Sequence, residues 1–157
     1  MPDHIAAVCM NGHARNSMLT TPIFSEPYCE QCGALVITCC PKCNRPIKGE
    51  SENTIFAASP SKPPSYCPGC GQPYPWTERI LFSASELILE NEYLEREEQE
   101  RLLSSFPDMI SETPNTQLAA VRLKRILSKI GDAGASVLIS ILSGIACEAF
   151  KKYVGWS

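Results

Sequence analysis

Eight side chains in the first half of the chain have the types and spacing that hold a metal ion: Cys9 and His13, Cys29 and Cys32, Cys40 and Cys43, Cys67 and Cys70. A Cys-x-x-Cys turn places two thiolates on one side with backbone amides turned toward the sulfurs, and two such turns complete the tetrahedral shell that zinc prefers. Four pairs therefore supply two zinc ions per chain. In three of them the residue after the second Cys is Gly33, Asn44 or Gly71, types that tolerate the left-handed turn closing such a loop. Cys9-Met10-Asn11-Gly12-His13 is less regular, but Asn11-Gly12 is a turn dipeptide that can fold both donors to one side.

Sequential pairing puts Cys9, His13, Cys29 and Cys32 around one zinc and Cys40, Cys43, Cys67 and Cys70 around the other. Residues 14 to 28 and 44 to 66 are long enough for a hairpin each. Interleaved and nested pairings stay open, although only seven residues separate Cys32 from Cys40, which is tight for a nested ribbon. Cys39 is an alternative to Cys40, and the Cys-Pro-x-Cys form favours Cys40. His4 is the fallback ligand and otherwise a solvated terminal residue. Cys147 is expected in a helical core.

Both shells fill with protein donors, whereas a catalytic zinc keeps one position for water. With His13 spent, only His4 remains as a neutral-pH base, and no nucleophile motif or phosphate loop is present. The sequence therefore predicts structural sites and no catalysis.

These donors need elements to position them. Residues 1 to 79 are rich in Cys, Pro and Gly with short β-like runs, Leu35-Val36-Ile37-Thr38 and Thr54-Ile55-Phe56, as in ribbons built on hairpins. Leu35 to Thr38 is expected to connect two ribbons, and residues 59 to 65 to form a loop. After Pro73-Tyr74-Pro75-Trp76, Leu, Ile and Glu take over, which places a domain boundary near Arg79. The predicted fold is a small zinc-stabilised α+β protein: two zinc-ribbon-like units over residues 1 to 79, then a helical region over 80 to 157.

In that region acidic helices are expected over about 83 to 112. Ser83 and Glu86 read as a capping box, and Glu92 to Arg96 and Glu97 to Arg101 as i, i+4 pairs. A break between Glu92 and Leu94 is left open. Basic and apolar helices follow over about 114 to 155. Thr113-Pro114 reads as a start and Gly131 as a stop, with Leu118, Ala119, Val121, Leu123, Ile126, Leu127 and Ile130 on the helical period. A last helix is expected from about Ala133 to Val154, with Leu138, Ile141, Leu142 and Ile145 on one face and Ser136, Ser140, Ser143 and Cys147 on another.

Residues 9 to 13, Tyr28-Cys29 to Gly33, Cys40-Pro41 to Cys43, Ile47-Lys48-Gly49, Tyr66-Cys67 to Gly71 and Pro73-Tyr74-Pro75-Trp76-Thr77 resemble a family of small bacterial proteins catalogued as a domain of unknown function. The resemblance continues through Thr113-Pro114, Gln117-Leu118-Ala119-Ala120 and Lys124. It implies two zinc knuckle units joined to a helical tail, and brings no reaction, ligand or partner. Cys39 departs from the pattern.

Charge and composition narrow the function. The first 16 residues hold no basic start followed by an apolar run, so the expected compartment is the reducing cytoplasm, where nine cysteines mean metal rather than disulfides. Counting seven thiolates and two divalent ions takes the net charge from -3 to -6, a poor match to nucleic acid. Lys42, Arg45 and Lys48, with Tyr28, Phe56, Tyr66, Tyr74 and Trp76 as stacking faces, keep nucleic-acid binding as an alternative. A second alternative is a membrane interface. The 15 uncharged residues between Asp132 and Glu148 are too few to span, but Lys151, Lys152, Tyr153 and Trp156 can anchor an apolar face. The first reading is an interaction protein whose tail self-associates or docks a protein partner. Residues 83 to 112 carry nine acids and two bases, and residues 113 to 157 two acids and six bases.

Overall fold

The computed structural model describes residues 4–50 and 62–156. The expected run Thr54-Ile55-Phe56 lies outside the described residues, as does the start of the loop over 59 to 65. The chain divides into two compact units, Met1–Arg79 and Ile80–Ser157. It is a small α+β protein with one three-stranded sheet and six helices among the described residues.

The first unit is built on β1 (Ile5–Cys9), β2 (Ala14–Leu19) and β3 (Val36–Ile37), in the antiparallel order β2-β1-β3. The central strand is Ile-Ala-Ala-Val-Cys, and Ala6 through Cys9 are all buried. Register runs Ile5↔Leu19, Ala7↔Asn16 and Val8↔Ala14, with irregularities on either side of Ala7. On the other edge Val8 faces Ile37 and Cys9 faces Val36. The turn from β1 to β2 is made by Asn11-Gly12, with Gly12 at a φ of 93°. Ala6, Val8, Ile47, Tyr74 and Trp76 pack with Cys40 and Cys67 into one small core, so ligand residues are also core residues.

Helix α1 (Pro75–Leu89) begins on Pro75, at the first position where a missing amide hydrogen costs nothing. Its start is braced by Thr77 Oγ1, which donates to the Ser65 carbonyl at 2.8 Å, and by Trp76 Nε1, which donates to the Pro64 carbonyl at 3.0 Å. Ser83 and Glu86 therefore lie inside α1 and form no capping box. Buried Trp76 and Thr77 start the helix eight residues before the capping-box reading does. At its other end, Gln99 Nε2 donates to the Ile88 and Asn91 carbonyls at 3.0 and 3.3 Å, supplying partners that helix carbonyls lose where the ladder stops.

The chain leaves helix at Glu90 and re-enters it in α2 (Arg96–Ser104). Glu92 is thus non-helical and forms no i, i+4 pair with Arg96, which instead meets Glu100 at 3.2 Å. Glu97 and Arg101 do pair, at 2.5 Å. Glu98 reaches back to the Glu95 amide at 3.1 Å, half of the reciprocal cap that the Ser83 reading sought.

The second unit gathers around α4 (Thr116–Lys129), which packs against α2, α3 (Phe106–Ile110), α5 (Gly131–Ser143) and α6 (Glu148–Val154). Ala119, Ala120, Leu123 and Ile126 of α4 are buried with Leu102, Phe106, Met109, Leu138, Leu142 and Phe150. Helix α4 starts two residues after Pro114, because the Thr116 hydroxyl turns back to the Asp108 and Ser111 carbonyls at 2.8 and 3.1 Å. Gly131 closes it with a φ of 79°. Leu118 and Val121 fit the helical period yet lie about half exposed, at 47 and 52 %. Arg122 donates to the buried Ser105 hydroxyl at 2.8 Å.

The single last helix expected over Ala133 to Val154 is two helices. Gly144 ends α5, Ile145 and Ala146 turn into the core, and the Cys147 amide bonds the Met109 carbonyl at 2.9 Å. Cys147 is the residue before α6 and half-buried at the core edge. That tertiary hydrogen bond and the seating of Phe150, edge-on to Trp156 at 5.6 Å, outweigh an unbroken helical period. Phe150→Ala should cost the second unit about 3–5 kcal/mol in a urea melt of the full chain. Half-exposed Val137→Ala should stay within about 0.5 kcal/mol. Near-equal costs would show that α6 is not docked through Phe150.

Candidate metal centres

Each Cys-x-x-Cys pair sits on the same backbone knuckle. The first Cys amide bonds a carbonyl five residues on, in Cys29 to Ala34, Cys40 to Arg45 and Cys67 to Gln72, at 2.8 to 2.9 Å. The returning amides of Gly33, Asn44 and Gly71 bond the carbonyls of Cys29, Cys40 and Cys67 at 2.7 to 2.8 Å. Those returning residues have φ of 73°, 64° and 73°, and Asn44 is the one non-glycine among the described residues with positive φ. Gly and Asn carry this left-handed step at least cost. Isolated bridges Tyr28↔Leu35, Cys39↔Pro46 and Tyr66↔Pro73 close the knuckles.

The structure brings the eight donors together in two groups: Cys9, His13, Cys29 and Cys32, and Cys40, Cys43, Cys67 and Cys70. Within each group all ligand atoms lie within 4.8 Å of one another. The arrangement is sequential. Strand β1 ends on Cys9, β2 follows His13, and β3 lies between the Cys29 and Cys40 knuckles. His4 and Cys39 fall outside both groups, and Cys39 Sγ is 3.9 Å from the Thr38 hydroxyl.

The spacings match a metal shell and no disulfide. Cys9 to Cys32 is 3.7 Å, Cys40 to Cys70 is 3.8 Å and Cys43 to Cys67 is 3.6 Å between sulfurs. A tetrahedron with zinc–sulfur bonds of about 2.3 Å has edges of about 3.8 Å. His13 Nδ1 stands 3.3 Å from Cys9 Sγ and 3.7 Å from Cys29 Sγ, against about 3.6 Å for a mixed sulfur–nitrogen edge. All nine cysteines are free thiols.

The electrostatics also suit a dication. In the first centre the Ala34 amide and then the Asn11 side-chain amide pull the Cys32 thiol down to about 6, while burial pushes Cys9 up. In the second, burial raises Cys67 but the Cys70 and Gly69 amides bring it down to about 6. The Arg45 amide lowers Cys43, yet desolvation and the thiols of Cys67, Cys40 and Cys70 push it to about 11. The opposed shifts of Cys67 and Cys43 belong to a coupled pair whose sulfurs stand 3.6 Å apart: the charge on one holds the proton on the other. A divalent ion removes that repulsion. The Tyr74 hydroxyl is buried, and burial and its interaction with Cys67 raise its pKa, so its donor faces a sulfur that metal would hold as thiolate.

Several contacts that support the donors gave no signal in the sequence. Asn11 Nδ2 donates to Cys32 Sγ at 3.4 Å, and Arg79 Nη1 donates to Asn11 Oδ1 at 2.5 Å. Arg15 of β2 bonds Glu30, between Cys29 and Cys32, at 2.6 Å, and Lys42, between Cys40 and Cys43, bonds Glu78 at 2.7 Å. Asn11 was legible as a turn residue, but its amide bond to sulfur depends on a fold contact 21 residues away. Of the proposed stacking aromatics, Tyr74 and Trp76 are buried, Tyr28 is exposed and Phe56 lies outside the described residues.

Zinc-loaded protein should keep its metal at pH 7 and release it to a chromophoric chelator on acidification. Cys32 and Cys67 lie below the ordinary thiol value of 9.0, so their stabilisation is complete above that value. It is lost as pH falls through about 6 and, with metal bound, further below. Cys29→Ser and Cys67→Ser should each lose one equivalent of metal and the local fold around that centre, read by elemental analysis and circular dichroism. Retention of both would remove the metal from the folding argument.

No curated protein and no solved structure matches the chain. No helix among the described residues is long and apolar enough to cross a membrane. The family model described as an uncharacterized protein conserved in bacteria (DUF2321) matches residues 3–154, and the chain belongs to that family.

Proposed function

We propose that this is a two-zinc interaction protein. Two ribbon-like units, each clamped by a structural zinc, form a rigid head, and the helical region self-associates or docks a protein partner. The observation that carries the reading is the pair of four-donor groups whose sulfur separations of 3.6 to 3.8 Å are the edges of a zinc tetrahedron. Four protein donors per ion leave no position for a reacting water, which supports a structural role and no catalysis.

Binding through the helical region is supported by apolar side chains left at its surface. Leu118 and Val121, one helical turn apart on α4, border a groove of about 340 Å³ against α2 whose walls carry Glu95, Glu97, Arg122 and Arg125. Apolar anchors within a charged rim are the usual anatomy of a protein interface.

Nucleic-acid binding is less well supported. The stacking faces of Tyr74 and Trp76 are spent in the core and Lys42 is paired with Glu78. For a membrane interface, Trp156 is engaged with Phe150, which leaves Tyr153 as the exposed aromatic of the last helix.

Elemental analysis of protein purified without added metal should return two zinc equivalents per chain, and one or none would overturn the zinc reading. Light scattering should show association that Leu118→Glu with Val121→Glu abolishes without loss of helicity. A monomer at every concentration removes self-association, and a pull-down with the same double variant then tests docking to a partner.

A further inference from the structure

The two centres do not stand apart inside the first unit, because a stacked aromatic pair at the start of α1 touches both. Tyr74 and Trp76 stack with ring centroids 4.7 Å apart and planes 18° from parallel, and both are almost wholly buried. On one side Gly12, inside the Cys9–His13 loop, lies so close that a Cβ added there would meet Trp76 Cβ at 3.1 Å. On the other side Tyr74 packs in the cluster that contains Cys40 and Cys67, with Cys70 at its edge, and its buried hydroxyl lies in that cluster.

The next helical residues repeat the bridge in polar form. Glu78 takes Lys42 at 2.7 Å, between the ligands Cys40 and Cys43. Arg79 takes Asn11 at 2.5 Å, and Asn11 donates in turn to the ligand Cys32 at 3.4 Å. Four residues within six positions of sequence therefore hold one metal loop or the other.

We infer that Tyr74, Trp76 and Arg79 are positioning residues that couple the two metal centres, so that filling one prepares the loop geometry of the other and the pair loads as a cooperative unit. The inference rests on the two-zinc reading. Its physical basis is that a loop tied by metal to its partner pair presents fixed backbone to the aromatic pair, whereas a metal-free loop lacks that cross-link. Because the pair is packed against both loops, ordering one lowers the cost of ordering the other. The coupling must act equally in both directions. Arg79 is exposed, so its share is the smaller.

Cobalt(II) tests this in the full-length chain, since its visible bands distinguish a three-sulfur, one-nitrogen shell from a four-sulfur shell. Affinity of the first centre is measured in wild type and in Cys43→Ser/Cys70→Ser, which disables the second. We expect at least a tenfold loss. In a Trp76→Ala background the same comparison should give a difference under twofold, with Trp76→Phe retaining most of the tenfold effect. Arg79→Met, which leaves the core intact, should reduce the effect about threefold even if Trp76→Ala fails to fold. A first-centre affinity that stays within twofold when the second centre is disabled overturns the inference, as does full coupling in both Trp76→Ala and Arg79→Met. Absence of either set of cobalt bands in wild type is a different outcome, which overturns the two-zinc reading itself and the inference with it.

Discussion

Mutual repulsion among crowded sulfurs is the constraint on which the first unit depends. In the second centre four sulfurs lie within 4.8 Å of one another, and the opposed shifts of Cys67 and Cys43 express the repulsion between neighbouring thiolates. A dication held there would convert repulsion into attraction and make each donor group a cross-link between segments that are distant in sequence. The small apolar core around Val8, Ile47, Tyr74 and Trp76 is modest for a unit of this length. In zinc-finger peptides the metal contributes on the order of 10–16 kcal/mol near neutral pH, as large as the whole net stability of a typical domain.

The knuckles show how little sequence such a centre needs. Two backbone hydrogen bonds and one left-handed residue define each, and the three copies agree in those bonds to within 0.1 Å. The amide-to-sulfur contact of Gly69 on Cys67, at 3.4 Å, follows from that backbone, and the Cys9–His13 loop offers its own from His13 to Cys9 at 3.3 Å; both favour the thiolate. The knuckle thus lowers the cost of deprotonation that metal binding requires.

The helical unit obeys a different rule. Its boundaries fall where side chains and carbonyls of neighbouring helices make better bonds than the helix itself could continue to offer. Gln99 takes the last carbonyls of α1, and the Met109 carbonyl takes the amide of Cys147. Such partners come from residues 11 and 38 positions away, which no local pattern reports.

What the sequence determined by itself was everything written in short-range chemistry. The eight donors, the turn residues Gly33, Asn44 and Gly71, and the stop at Gly131 are local requirements of metal geometry and of positive φ, and they can be read from spacing and residue type. Tertiary structure alone decided which pairs share a centre, that Ser83 lies inside α1, and that α5 and α6 are separate. It also decided that Val121 faces outward and that Asn11, Tyr74 and Arg79 stand against the metal loops. Each of these depends on contacts between residues far apart in the chain, where packing and long-range hydrogen bonds outweigh the periodicity and propensity that a sequence displays.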